Sequence, residues 1–198
     1  MIESDLASAV LDSCVLYPPG LRNLFLWLAV EEVYFPRWTE AIHEEWIRNA
    51  LENDARKNHP PLLSREKLER TRDLMNRNAD RSVVTGFEHW IPRISLPDYN
   101  DRHVLAAAIE SESSYIVTFN LRHFPASALS AYGVEAIHPD SFLCKLFEDN
   151  PNGFLRAVEA LRNSLKNPPL SGQQLLKNWR KAGLPRLVEQ LQVHWLGI

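Results

Sequence analysis

The sequence predicts an α/β fold, a mostly parallel sheet flanked by helices, followed by a small helical extension. Three observations predict it. Short β-rich runs alternate with longer runs of helical period through residues 8–148, the pattern that a parallel sheet with crossover helices requires. After Asp149–Gly153 (DNPNG) only helical patterns remain. With 198 residues, 45% hydrophobic and 24% charged, the chain has ordinary globular composition and length enough for a sizeable core. Residues 1–148 are expected to form the main domain and 149–198 its helical extension.

The elements follow in order. Ala9 to Leu16 (AVLDSCVL) reads as a buried strand interrupted by one acid. Pro18, Pro19 and Gly20 break it, and proline suits the first turn of a helix in which Leu21, Leu24, Phe25 and Leu28 share a face. Val33 to Phe35 reads as a second strand. Thr39 is placed to cap an amphipathic helix bearing Ile42, Trp46 and Ala50. After His59-Pro60-Pro61, Ser64 is placed to cap a charged helix with a thin stripe of Leu68, Thr71, Leu74 and Met75. A β-rich stretch near Val83 and Val84 and an apolar segment from Trp90 to Leu96 lead to a turn, LPDYND, that opens an alanine-rich helix. Tyr115 to Phe119 (YIVTF) is the clearest strand, rich in β-branched and aromatic residues. Glu135 to Ile137 reads as a last strand and Pro139 to Glu148 as a helix; the extension reads as helices over Phe154–Leu165, Ser171–Ala182 and Pro185–Trp195.

Several function classes are excluded. The longest strongly apolar stretch, Leu24 to Val30, is far short of the roughly 20 residues that span a bilayer. The first ten residues carry Glu3 and Asp5 and no base, which does not read as a signal peptide. Two cysteines make no disulfide framework, and a reducing cytoplasm is the expected home. Net charge is −3, unevenly spread: residues 1–47, 48–81, 82–149 and 150–198 carry −6, +3, −5 and +5. Acidic blocks interleaved with basic ones suit either a solvated surface or a carboxylate pocket rimmed by phosphate-binding cations.

The candidate chemistry lies where acids meet apolar pattern. Asp12 follows Ala9-Val10-Leu11 at a strand end, where ligands bind in open parallel sheets. A carboxylate inside an apolar run is costly to bury unless it is paired or bound to metal; the bland alternative is a turn aspartate before the prolines. Asp98 and Asp101 stand at the mouth of the alanine-rich helix, where either also serves as its cap. Glu44 and Glu45 sit mid-helix beside Trp46. Thr118 and Asn120 emerge with Asp12 at the carboxyl end of the YIVTF strand. Converging carboxylates, with no histidine or cysteine constellation, point to a hard cation such as Mg2+ or Mn2+. His103 and His123 flank this region, and Cys14 reads as packing. A dehalogenase-like phosphatase needs an Asp-x-Asp pair, whose second position here is Cys14; His43-Glu44 starts no HExxH zinc motif.

The runs VLDSCVLYPPGLRNLFLWLA, WTEAIHEEWIRNAL, LPDYNDRHVLAAAI, IVTFNLRHFP and HPDSFL, in this order over residues 8–148, resemble the PIN-domain family, and most closely the VapC-like toxins of bacterial type II toxin–antitoxin systems. The basic helical tail resembles the extension of one VapC-like subgroup. The resemblance implies a three-layer α/β/α sandwich and endonucleolytic, divalent-metal-dependent cleavage of RNA. It implies Asp12, Glu45 (with Glu44 its neighbour) and Asp101 as catalytic and metal-holding residues, with Asp98 auxiliary. Asn120 stands where many members carry a fourth acid; this removes one charge and bears on a second metal rather than the first. Thr118 and Asn120 would position water, and Thr118, Arg22 and His103 would contact substrate; the arginines of the helix from Arg65 to Arg81 read either as further phosphate contacts or as a solvated face. The implied partners are RNA, a cognate antitoxin and a second copy of the chain; the apolar faces Leu21–Leu28 and Ile42–Leu51 either supply that dimer surface or belong to the core. The alternative is a PIN-fold RNA- or protein-binding module without catalysis, supported by Asn120.

Overall fold

The structure, a computed structural model, describes residues 6–166 and 168–194. Four short strands, β1 (Ser8–Leu11), β2 (Phe35–Arg37), β3 (Tyr115–Val117) and β4 (Glu135–Ile137), form one all-parallel sheet in the order β2-β1-β3-β4. The first strand ends sooner than its apolar run suggests. The carbonyl of Asp12 accepts from the amides of Val15 and Leu16, and the chain turns into a one-turn helix, α1 (Ser13–Leu16). An apolar run alone does not distinguish strand from helix, and here it supplies both.

Helix α2 (Pro19–Val30) starts with Pro19 in its first turn. Helix α3 (Glu40–Lys57) is capped by the Thr39 hydroxyl, and α4 (Arg65–Asn78) by that of Ser64. The second strand begins at Phe35 rather than Val33, because Val33 bonds back to the carbonyl of Leu28 and is still leaving the helix. Val83 makes one parallel bridge to Trp38 without forming a strand, and the Trp90 segment is a 3-10 turn over Phe87–Arg93. Helix α5 (Arg102–Glu110) packs on β1 and β3. A short α6 (Ala126–Leu129) leads to β4, and α7 (Pro139–Asp149) returns across the sheet, where the Phe142 ring meets those of Phe25, Tyr34 and Tyr115.

The DNPNG stretch is not a loop. Asn150 ends α7 and caps α8 (Pro151–Ser164) with its own side chain, accepting from the amide of Gly153. Helix α9 (Gly172–Lys181) begins with a reciprocal cap between Ser171 and Gln174, and α10 (Pro185–His194) follows; the expected end of that helix, Trp195, lies outside the described residues. Helix α8 packs along α2, and α10 along α7, so Phe154, Leu161, Trp179 and Leu187 join the same buried cluster as Val10, Trp46 and Ile116.

Leu21, Leu24, Phe25 and Leu28 of α2, and Ile42, Trp46 and Ile47 of α3, lie wholly inside this core. Of the two readings of these faces, dimer surface or core, the structure shows core, since packing within the chain has already consumed them. No helix among the described residues is long and apolar enough to cross a membrane.

Candidate metal centre

Strand β1 is succeeded in sequence by β2 on one side and paired with β3 on the other, so the strand order reverses between β1 and β3. Loops leaving the carboxyl ends of two such strands diverge and open a crevice. Asp12 leaves β1 there, and Thr118, Phe119 and Asn120 leave β3.

Asp12 is 4% exposed, and its side chain does not cap α1. Thr118 Oγ1 donates to Asp12 Oδ2 at 2.6 Å, and Cys14 Sγ donates to the same oxygen at 3.2 Å. Each of these donors is itself held by a backbone amide: Asn120 N donates to Thr118 Oγ1 at 3.0 Å, and Phe119 N to Cys14 Sγ at 3.4 Å. Two relays from consecutive amides thus converge on Oδ2. Oδ1 has no protein partner among the described residues. Burial, followed by the charge of Asp12, pushes the Cys14 thiol up to about 12, so it stays a neutral donor.

Asp98 caps the turn before α5 by accepting from Asn100 N at 2.9 Å. Asp101 follows and makes no cap hydrogen bond of its own. His123 Nδ1 lies 2.6 Å from Asp101 Oδ2 and 3.9 Å from Asp98 Oδ2. Burial, with the charges of Asp12 and Asp98, holds the Asp101 carboxyl above its ordinary value despite the His123 hydrogen bond. Carboxylates raise one another in this way only when close together. One donor atom from each of Asp98, Asp101 and His123 lies within 4.8 Å of the others, a separation suited to a shared cation.

The structure separates the two neighbouring glutamates. Glu44 is exposed and holds Arg65 in a bidentate pair at 2.8 and 2.9 Å. Glu45 is half-buried, with His103 Nε2 at 3.7 Å. The His103 imidazole, then the Ser13 hydroxyl, keeps its carboxyl below the ordinary range against the opposing effect of burial. Ser13 adjoins Asp12 in the chain, so Glu45 stands at the same crevice.

Asp12, Asp98, Asp101, Glu45, Thr118, Asn120 and His103 are therefore brought to one end of the sheet, with Asn120 exposed to solvent. Arg22 is not brought to the rim. It is buried, donates to the carbonyl of Leu16 at 2.8 Å, and its guanidinium lies 4.7 Å from the centre of the Trp46 ring. Burial lowers it to about 10. His103 and His123, which flank this region in the sequence, both reach it, and Cys14, read as packing, does so too. His123 joins the acidic cluster, His103 faces Glu45, and Cys14 bonds Asp12. The available signal was position: His103 stands two residues after Asp101, and His123 three after Asn120.

A model of the VapC50 C-terminal domain matches residues 139–193, from α7 to the last described turn of α10. A protein of Mycobacterium tuberculosis (strain ATCC 25618 / H37Rv) named "Putative ribonuclease VapC50" is 38% identical over 78 residues. Over these stretches the chain is similar to VapC-like proteins. That alignment takes in 39% of this chain and 46% of the relative, less than half the relative's length. No solved structure matches it.

Proposed function

We propose that this VapC-like chain is a divalent-metal-dependent endoribonuclease, the toxin of a cytoplasmic toxin–antitoxin pair, with residues 1–148 as nuclease domain and 149–198 as its extension. One observation carries the reading. A buried aspartate stands at the strand-order reversal with one oxygen doubly hydrogen-bonded and the other without a protein partner among the described residues, beside Asp101, whose carboxyl its charge helps to raise. Such an arrangement suits a cation.

The donors fit Mg2+ or Mn2+: carboxylate oxygens of Asp12, Asp101, Asp98 and Glu45, a hard oxygen set. Such an ion, when bound, neutralises charge on a phosphodiester and raises the acidity of water beside it. The relays from Phe119 and Asn120 keep Oδ2 of Asp12 occupied and fix the direction of Oδ1. His123 holds the Asp101 carboxylate in place, and His103 does the same for Glu45. Glu45, kept ionised, is the proton acceptor for an attacking water, and exposed Asn120 orients that water or the substrate.

The test is cleavage of labelled total RNA with and without Mn2+ or Mg2+. Asp12→Ala, Asp101→Ala and Glu45→Ala are expected to lose cleavage, whereas Glu44→Ala retains it. Folded wild-type protein that neither cleaves RNA nor binds Mn2+ by calorimetry would sink the proposal in favour of a PIN-fold binding module. The cognate antitoxin, expected from a neighbouring gene, should abolish cleavage on co-purification. Full activity of the co-purified pair would refute that part. Sedimentation measures whether two copies associate.

A further inference from the structure

The C-terminal extension reaches the candidate centre itself. The turn between α9 and α10 contains Gly183, whose φ of +91° favours glycine, and a Cβ built on it would stand 3.2 Å from Cε1 of Phe119. Phe119 is the residue between Thr118 and Asn120. The turn is fastened from below by Asp140 of α7, which is 4% exposed. Its carboxylate accepts from Arg186 N at 3.0 Å and from Leu187 N at 2.9 Å, the first amides of α10. His138, two residues before Asp140, places its ring edge-on to that of Phe119, with the centroids 5.0 Å apart. The turn thus rests against the residue that carries one relay to Asp12.

This wall brings cations. Lys181 lies two residues before Gly183 and Arg186 three after it, and Arg122 lies two residues beyond Asn120; all three are exposed. Among the described residues, the Arg186 guanidinium donates only to the Ser141 hydroxyl, and that of Arg122 only to His123 Nε2. Among the described residues no carboxylate pairs with any of the three. The charged helix α4 differs: there Arg65, Arg70 and Arg72 are engaged by Glu44, Glu66 and Asp73. Free cations beside an acidic crevice suit a polyanion whose backbone must run past carboxylates that would otherwise repel it.

Resting on the nuclease reading, we infer that the α9–α10 turn is one wall of the substrate cleft, and that Lys181, Arg186 and Arg122 hold the phosphate backbone of single-stranded RNA as it passes Asn120. The extension is then part of the substrate site and not a support behind it.

The test uses the full chain and a labelled single-stranded RNA in EDTA, so that binding is read without cleavage. Affinity is measured by fluorescence anisotropy over a range of salt. Each phosphate contact adds about 0.7 to the slope of log affinity against log salt for a single strand. The triple variant Arg122→Gln, Lys181→Gln, Arg186→Gln is expected to lose about 2 from that slope and to bind at least tenfold more weakly. Arg156→Gln, which removes a cation already paired with Glu31 at the end of α2, leaves both unchanged. Wild-type affinity and slope in the triple variant, in a protein that cleaves RNA when given metal, would overturn this inference alone and leave the cations to an acidic protein partner. Wild-type protein that neither binds nor cleaves RNA would overturn the nuclease reading with it.

Discussion

Asp140→Ala removes the fastening of α10. The carboxylate of Asp140 takes the amides of Arg186 and Leu187, at 3.0 and 2.9 Å, and Leu187 is fully buried. Those amides belong to the first helical turn, which has no partners of its own within the helix. A hydrogen bond to a charged acceptor contributes about 1.5–3 kcal/mol. The two bonds share one carboxylate and are not additive, and some stabilisation from a negative charge at a helix N-terminus is lost with them. The expected loss is about 3 kcal/mol. In a chain of this size each kcal/mol lowers Tm by roughly 2–4 °C, so the variant should melt about 6–12 °C lower. Asp140→Asn keeps one acceptor and should lose about half as much. Thermal unfolding followed by circular dichroism measures both, with urea titration as a check on the free energy. A loss under about 1 kcal/mol for Asp140→Ala would show that water replaces the carboxylate at no cost. The argument that α10 is held to α7 by buried hydrogen bonds would then fail.

Arg22→Ala should lower stability by about 3 kcal/mol through loss of the Leu16 hydrogen bond, the Trp46 contact and buried packing. Its RNA affinity, measured where the variant is fully folded, should be unchanged; selective loss of RNA affinity would return Arg22 to a substrate role. Cys14→Ala should weaken Mn2+ binding about tenfold by freeing Asp12 Oδ2 from one of its donors, and Cys14→Ser should restore most of it. Equal Mn2+ affinity in wild type and Cys14→Ala would refute the relay. His43 makes stability depend on acid. Burial lowers its imidazole to about 4, and the ring accepts from Trp46 Nε1 on Nδ1 while Nε2 faces the Asn76 carbonyl oxygen, an arrangement that requires the neutral ring. The unfolded chain binds this proton near 6.5 and the folded chain near 4, so stability is complete above 6.5 and falls as pH drops toward 4, by about 3 kcal/mol. Urea unfolding at pH 7 and pH 4.5, compared with His43→Gln, measures this contribution; an identical pH dependence in the variant would remove His43 as its source.

Asp12 was legible in the sequence because an acid interrupting an apolar run demands a reason. Asp98 and Asp101 were legible because two acids precede so apolar a helix. The choice between Glu44 and Glu45 was open, since adjacent residues on a helix differ by 100° in direction and only packing shows which one meets the crevice. Arg65 claims one of them, and His103 with Ser13 claims the other. Cys14 and His123 reach Asp12 and Asp101 through the folded shape of two turns, which no periodicity encodes. The resemblance implied Arg22 as a substrate contact, but its guanidinium is absorbed by Trp46 and a carbonyl, a packing that no local pattern encodes. Helices of ten or more residues were readable from their period and caps. Among the three-residue strands β4 was read with its observed bounds, whereas β2 lies two residues later than read, because so short a run carries hardly more than one alternation.

Asn150 closes α7 and opens α8 with no residue between them. A Cβ on Gly153 would fall 2.6 Å from the Asn150 Nδ2, so the amide group fills the inside of the bend. Two helices joined in this way make a corner and not a joint. A protease should find no slack there to cut, and a push on the outer helices is delivered as torque on α7, whose first residue follows β4 by one position. A partner that grips the extension therefore has a lever on the crevice without entering it.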